Sequence, residues 1–215
     1  MSALQCVCMS VALLVIAIGY LLGSIPVSDI VAHRAGAPNL RDVGDQNPGF
    51  WNSRAVFSRN QSLAVFVGDL LKGVLSVVTA QELSDRWQVW FLAAGAAMIG
   101  HGWPLFARFK GGRSVLTWAG AAIVLSPLPA AFCLLLIVLF WAATRDFSHG
   151  VRIGVVMYPF AQWYADGVWW AAATGALMSV IGVRFAMAIG IDSVLAATPL
   201  SRWRNSAAQD DDPSE

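Results

Sequence analysis

The sequence predicts an all-α integral membrane protein of about seven transmembrane helices, with its N-terminus outside and its C-terminus in the cytoplasm. Three observations carry that expectation. Only 13% of the 215 residues are charged and 57% are hydrophobic, against roughly a quarter charged in a soluble domain of this length. The apolar residues gather in runs, several long enough to cross about 30 Å of hydrocarbon. Lys and Arg gather in some connections and are scarce in others, which is how membrane orientation is written into a chain. Residues 1–200 read as one polytopic domain, and 201–215 as a polar, acidic, disordered cytoplasmic tail.

The first run extends from Cys6 to about Val31. No basic residue precedes it (the first is Arg34), so it does not read as a signal peptide. It enters a connection carrying Arg34, Arg41, Arg54 and Arg59, which places that connection inside. The second run, Leu63 to Ala80, leads outward to Glu82 and Asp85 against the single Arg86. The third, Val89 to Phe106, returns to deliver Arg108, Lys110 and Arg113. Its "LAAGAAMIG" stretch is rich in the small residues that allow close helix packing in lipid. The fourth, Val115 to Ala143, is flanked by Arg113 and Arg145 and so must begin and end inside. It therefore divides into two arms at "SPLP", Ser126 to Pro129, where two prolines break a helix. The fifth, Val151 to Tyr164, goes out to Asp166 and Gly167; the sixth, Val168 to Ile191, returns to Arg202 and Arg204. The total is seven crossings.

Several polar residues fall within or beside the apolar runs. Asp69 and Lys72, in "VGDLLKGVL", share a helix face at i, i+3 and can pair; an intramembrane pair of this kind faces the protein interior. Asp29 lies near the cytoplasmic end of the first run, within reach of a basic group. Arg184 either extends to the surface or reaches into a cavity. The connection "NLRDVGDQNPGFWNSR", Asn39 to Arg54, reads as loop. Its Gly and Asn residues permit turns that point backbone N–H groups at an anion. With Lys110, Gly111, Gly112 and Arg113 it makes a phosphate cradle at the cytoplasmic surface, and the glycine pair opens the next helix, whose N-terminus favours negative charge. Cys6, Cys8 and Cys133 show no CxxC spacing and no His partner, so neither disulfides nor a metal site is expected.

In order, these pieces read "YLLGSIP", "VGDQNPGFWNSR", "GDLLKGVL", "GHGWPLFARFKGG" and "TRDFS". This order, from about Tyr20 to Ser148, resembles the bacterial acyl-phosphate:glycerol-3-phosphate acyltransferase family, known for a seven-span fold. The resemblance implies transfer of an acyl chain from acyl phosphate to the first hydroxyl of glycerol 3-phosphate, with no acyl-enzyme, metal or cofactor. It implies catalytic roles for His101, Lys110 and Ser148. It implies substrate contacts at Gly44, Asp45, Asn47, Gly49, Asn52, Arg54, Gly111, Gly112, Arg113 and Arg145. The expected partners are acyl phosphate, a small phosphate-bearing acceptor and membrane lipids, with no nucleic acid; ten Trp residues leave a membrane-protein partner open. The expected location is the bacterial cell (inner or plasma) membrane.

The chain departs from the family pattern Gly-Ser-Gly-Asn-x-Gly-x-Thr-Asn-x-x-Arg. Asp45, Gln46 and Trp51 stand for its Ser, second Gly and Thr, and its Arg falls one place early, at Arg54. One residue along a helix turns a side chain by about 100°. Asp45 puts a carboxylate beside the phosphate, a repulsive placement unless an Arg neutralises it. A later serine position reads Val151, and a late His-Arg-x-Asn segment reads without His or Asn around Arg184 to Ala188. These losses keep a second reading open, a catalytically inert relative serving as a subunit or scaffold of a membrane complex. A transporter is a third reading, with no inverted repeat or broken-helix ion site behind it.

Overall fold

A computed structural model describes residues 3–190. They form α1 (Ala3–Ser24), α2 (Val27–Ala35), α3 (Phe50–Val56), α4 (Arg59–Leu83), α5 (Trp87–Gly102), a 3-10 turn at Leu105–Ala107, α6 (Val115–Leu125), α7 (Pro127–Thr144), α8 (Phe147–Asp166) and α9 (Val168–Ile189). The acidic tail and the end of the sixth run lie outside the described residues. Five stretches are long and apolar enough to cross a membrane: Met9–Ala35, Arg59–Leu83, Trp87–Ala107, Pro127–Thr144 and Val168–Ala188.

The apolar runs become helices, with differences of detail; the third run ends as a helix at Gly102 and passes into the 3-10 turn. The first run breaks at Ile25 and Pro26, because Pro26 lacks an N–H and its ring crowds the preceding turn. The fourth breaks at Ser126, as its prolines require, but its two arms do not pack as a tight hairpin. α6 lies chiefly on α4 and α7 on α8. The first connection is not all loop. After Gly49 it forms the seven-residue α3, which buries Asn52 and Ser53.

Glycines bring the helices into backbone contact. A Cβ on Gly23 of α1 would overlap the backbone of Ala97 in α5, and one on Gly100 of α5 would overlap Tyr20. Gly73 of α4 and Gly120 of α6 meet the backbones of Thr117 and Leu70 in the same way. In lipid, such close approach supplies the dispersion contacts that hold helices together. Gly23→Ala is therefore expected to cost about 1–3 kcal/mol by forcing α1 from α5. Thermal unfolding in detergent checks this against Gly175→Ala, whose Cβ enters open space.

One chain of buried polar groups deeper in the bundle satisfies itself, as an environment without water favours. Thr174 Oγ1 donates to Gln162 Oε1 at 2.5 Å, and Gln162 Nε2 donates to Ser126 Oγ at 2.6 Å. The break between α6 and α7 is thereby tied to α8 and α9.

Candidate active site

The site begins with the two charges inside α4. Asp69 lies ten residues into the helix, about 15 Å along its axis. Lys72 follows one turn later and donates to Asp69 Oδ1 at 2.7 Å. The tight seating of α5 brings His101, at its C-terminal end, to the same point, and Lys72 Nζ also donates to His101 Nδ1 at 3.2 Å. All three side chains are buried, at 2%, 6% and 8% exposure. An ammonium has no lone pair, so Nδ1 is the acceptor. The imidazole is then neutral, with its proton on Nε2, free to donate away from α4. Thr117 Oγ1 and Ser76 Oγ bond backbone carbonyls of Asp69 and Lys72, fixing the helix around the pair.

This cluster floors a small cleft. Its rim comes from the α1–α2 break at Pro26, from Arg41 and Pro48 of the first connection, and from Gly111 and Gly112. Arg41 forms an ion pair with Asp29, and its Nε donates to the carbonyl of Lys110 at 2.7 Å. The glycine pair folds back under His101, where Gly112 N–H donates to the His101 carbonyl at 3.0 Å. Any Cβ on Gly112 would strike the His101 ring. Arg184 of α9 braces the turn from behind. Its Nε and Nη2 donate to the carbonyls of Gly112 and Gly111 at 2.9 and 2.6 Å, and its guanidinium lies over Trp103. A forked donor bridging two carbonyls fixes a turn in a way that a single ammonium cannot.

Of the residues singled out from the sequence, His101, Gly111 and Gly112 line the cleft. Gly112 has one limit as a phosphate cradle, because its N–H is already bonded to His101. Nor does the pair open α6 directly; Ser114 intervenes with φ +61°. Asn52 spends its amide on the loop, donating to the carbonyls of Leu40 and Val43 at 2.9 Å and of Asn47 at 3.3 Å. Gly44, at φ +62°, leaves no room for a Cβ beside Asn52. Gly49 N–H bonds the Asn47 carbonyl. These residues shape the loop that delivers Pro48 and Arg41. Asp45 accepts from the Asn47 N–H and, at 3.0 Å, from Arg113. Arg113 is thus the neutralising arginine that the carboxylate required.

The remaining residues lie elsewhere. Arg54 is exposed and stacks over Trp51 at 5.1 Å, with Ala55 beside it in a separate surface hollow. Its early position in the motif turns it away from the cleft. The Lys110 side chain is exposed, and only its carbonyl is held. Arg145 caps α7 at φ +61°, and Ser148 sits in the first turn of α8; neither lines the cleft. Beside them, the exposed Asp146 carboxyl is held below its usual range, chiefly by the His149 backbone N–H. Arg41 and Lys72 were visible in the sequence only as a topology signal and as a structural pair. A charge inside a span is a functional-site hypothesis by default, and that signal was there for Lys72. No cluster of three or more His, Cys, Asp or Glu fit for a metal occurs among the described residues.

The cleft offers the cations Arg41 and Lys72, each paired with a carboxylate, and a neutral imidazole donor to an anionic group. Residues 13–193 match the profile of the family described as glycerol-3-phosphate acyltransferase. Glycerol-3-phosphate acyltransferase 1 of Dehalococcoides mccartyi is 33% identical over 79% of this chain and 85% of its own length. The glycerol-3-phosphate acyltransferase of Rubrobacter xylanophilus is 37% identical over 69% of this chain and 74% of its own. Among solved structures, PlsY (YgiH), an integral membrane glycerol 3-phosphate acyltransferase in its glycerol 3-phosphate form, aligns with a TM-score of 0.73. The identity to PlsY is 29%, over 83% of this chain and 90% of that one. On its buried helical bundle and on these matches, the chain belongs to the glycerol-3-phosphate acyltransferase family of integral membrane proteins.

Proposed function

We propose that the protein is an acyltransferase of phospholipid synthesis that moves an acyl chain from acyl phosphate to the first hydroxyl of glycerol 3-phosphate. The observation that carries this reading is the meeting of Lys72, His101 and Arg41 with the glycine pair in one cleft. The hydroxyl oxygen attacks the acyl carbonyl, and a new ester C–O bond forms. The bond from carbon to the phosphate oxygen breaks, phosphate leaves with the electron pair, and the hydroxyl proton ends on that phosphate. Catalysis then consists of positioning and charge stabilisation. Arg41 and Lys72 hold phosphate charge, and His101 Nε2–H donates to an oxygen whose charge grows during transfer. The glycine pair lets the substrate approach the backbone closely.

In this reading α6 and α8 join the five long spans to give seven crossings, with the N-terminus outside. The cleft then opens to the cytoplasmic face of the bacterial cell membrane, where a soluble acceptor meets a lipid-borne donor. The exposed aromatic turn at Trp163, Tyr164 and Trp169 serves the opposite membrane–water boundary or a membrane-protein partner. The test is incubation of the purified protein in detergent with acyl phosphate and glycerol 3-phosphate, read by mass spectrometry. Equal amounts of acylglycerol phosphate and phosphate are expected. Folded protein that forms neither would favour the subunit or scaffold reading.

A further inference from the structure

Asp45 and Arg113 do not line the cleft themselves but belong to two of the segments that do. Pro48 lines it from the Asp45 side, and Gly111 and Gly112 from the Arg113 side. The Asp45–Arg113 ion pair, at 3.0 Å, therefore joins the walls, and Arg41 joins them again through the Lys110 carbonyl. In this joined state the cleft encloses a volume of about 10 Å³, room for roughly one water. A phosphate ester needs more room than this enclosed space offers while the two segments are joined.

The two partners are unequally committed. Asp45 uses both oxygens, one on the Asn47 N–H and one on Arg113. Arg113 gives that carboxylate one Nη, rests its guanidinium over Phe185 at 4.8 Å, and keeps its Nε buried without a hydrogen-bond partner. A guanidinium presents five donors in a rigid fork, and a phosphate, with three oxygens and about two charges, fills that fork better than one carboxylate oxygen.

We infer that Asp45 is a specificity-determining residue. Its carboxylate occupies Arg113 and holds the cleft shut, and a phosphate-bearing substrate binds by displacing it. This rests on the acyltransferase reading and adds to it. An acceptor without a phosphate cannot displace the carboxylate, and every phosphate-bearing substrate meets an affinity lowered by the population of the closed pair.

The test uses the full-length protein in detergent and reads KM for glycerol 3-phosphate and the inhibition constant of inorganic phosphate. Asp45→Asn is expected to lower both by about fivefold, the scale of a well-placed, partly exposed ion pair. Asp45→Ser should shift them the same way, and Asp45→Glu, which keeps the charge, should stay close to the parent. If the neutral variants leave both constants unchanged or raise them, the displacement idea is wrong, and Asp45 is a loop brace or a ligand. A separate reading, protection from thermal unfolding by inorganic phosphate alone, needs no turnover. Stronger protection of Asp45→Asn in a protein that transfers no acyl group would keep the displacement and remove the acyltransferase reading. Turnover with unmoved constants would do the reverse.

Discussion

Asp69→Ala is expected to lower the yield of folded protein and to cost about 3–5 kcal/mol, the scale of leaving one member of a buried ion pair alone. Lys72 is almost fully enclosed, and its ammonium keeps only the His101 Nδ1 as a neutral acceptor once the carboxylate has gone. Replacing both residues by Ala removes the charge and the need to solvate it, so the double variant should be milder than the sum of the singles. Thermal unfolding in detergent across the four-member cycle reads the coupling, expected above about 1 kcal/mol for directly bonded groups. Additive singles would mean that the 2.7 Å contact does no energetic work.

The second large effect concerns the chemistry. His101→Asn is expected to lower kcat/KM by about 10²–10³-fold, the cost of losing one aimed donor to developing negative charge. His101→Gln should lose less. The Asn amide reaches only as far as Nδ1, the atom already engaged by Lys72. The longer Gln amide reaches the place of Nε2, the atom beside Gly112, and can still donate there. Steady-state rates for the two variants, at matched folded fractions, decide the matter. If Asn outperforms Gln, the working atom is Nδ1, and the tautomer argued from Lys72 is wrong.

Much of the helical plan was legible in the sequence, because a membrane span is a one-dimensional signal. The runs at Leu63–Ala80 and Val168–Ile191 need only length and apolarity to be read, and each lies along a single helix as far as the described residues reach. The break at Ser126 was legible because two prolines sit together. The break at Pro26 was not, since apolar residues continue on both sides and mask it. α3 was read as loop because Gly, Asn and Pro dominate the stretch before it. Asn52 on α3 gives its amide hydrogens to carbonyls of the preceding loop, chiefly those of Leu40 and Val43, a tie that no local pattern shows.

The site divides along the same line. His101 and the glycine pair were legible through motif spacing, since a short segment carries all three. The joining of Lys72 to His101 spans 29 positions and depends on how closely α4, α5 and α6 pack. Gly73 and Gly120 set the α4–α6 part of that packing, and Gly23 and Gly100 seat α5 on α1; their spacing shows only that close contact is allowed. Arg41 looked like any topology-setting charge until the loop placed it against Asp29 and the Lys110 carbonyl. Arg54 shows the limit from the other side. It is the right residue type one position early, and the helix turn carries it to Trp51 at the surface.

The central claim is that phosphate-bearing substrate reacts in the cleft above Lys72 and His101. The most direct measurement is a structure of the protein with glycerol 3-phosphate bound. The expected result places phosphate oxygens about 3 Å from the Arg41 guanidinium or Lys72 Nζ, with the first hydroxyl facing His101 Nε2, the walls around Gly112 parted, and Arg113 released from Asp45 onto the phosphate. Glycerol 3-phosphate held instead in the hollow at Trp51 and Arg54, with the cleft still closed, would contradict it.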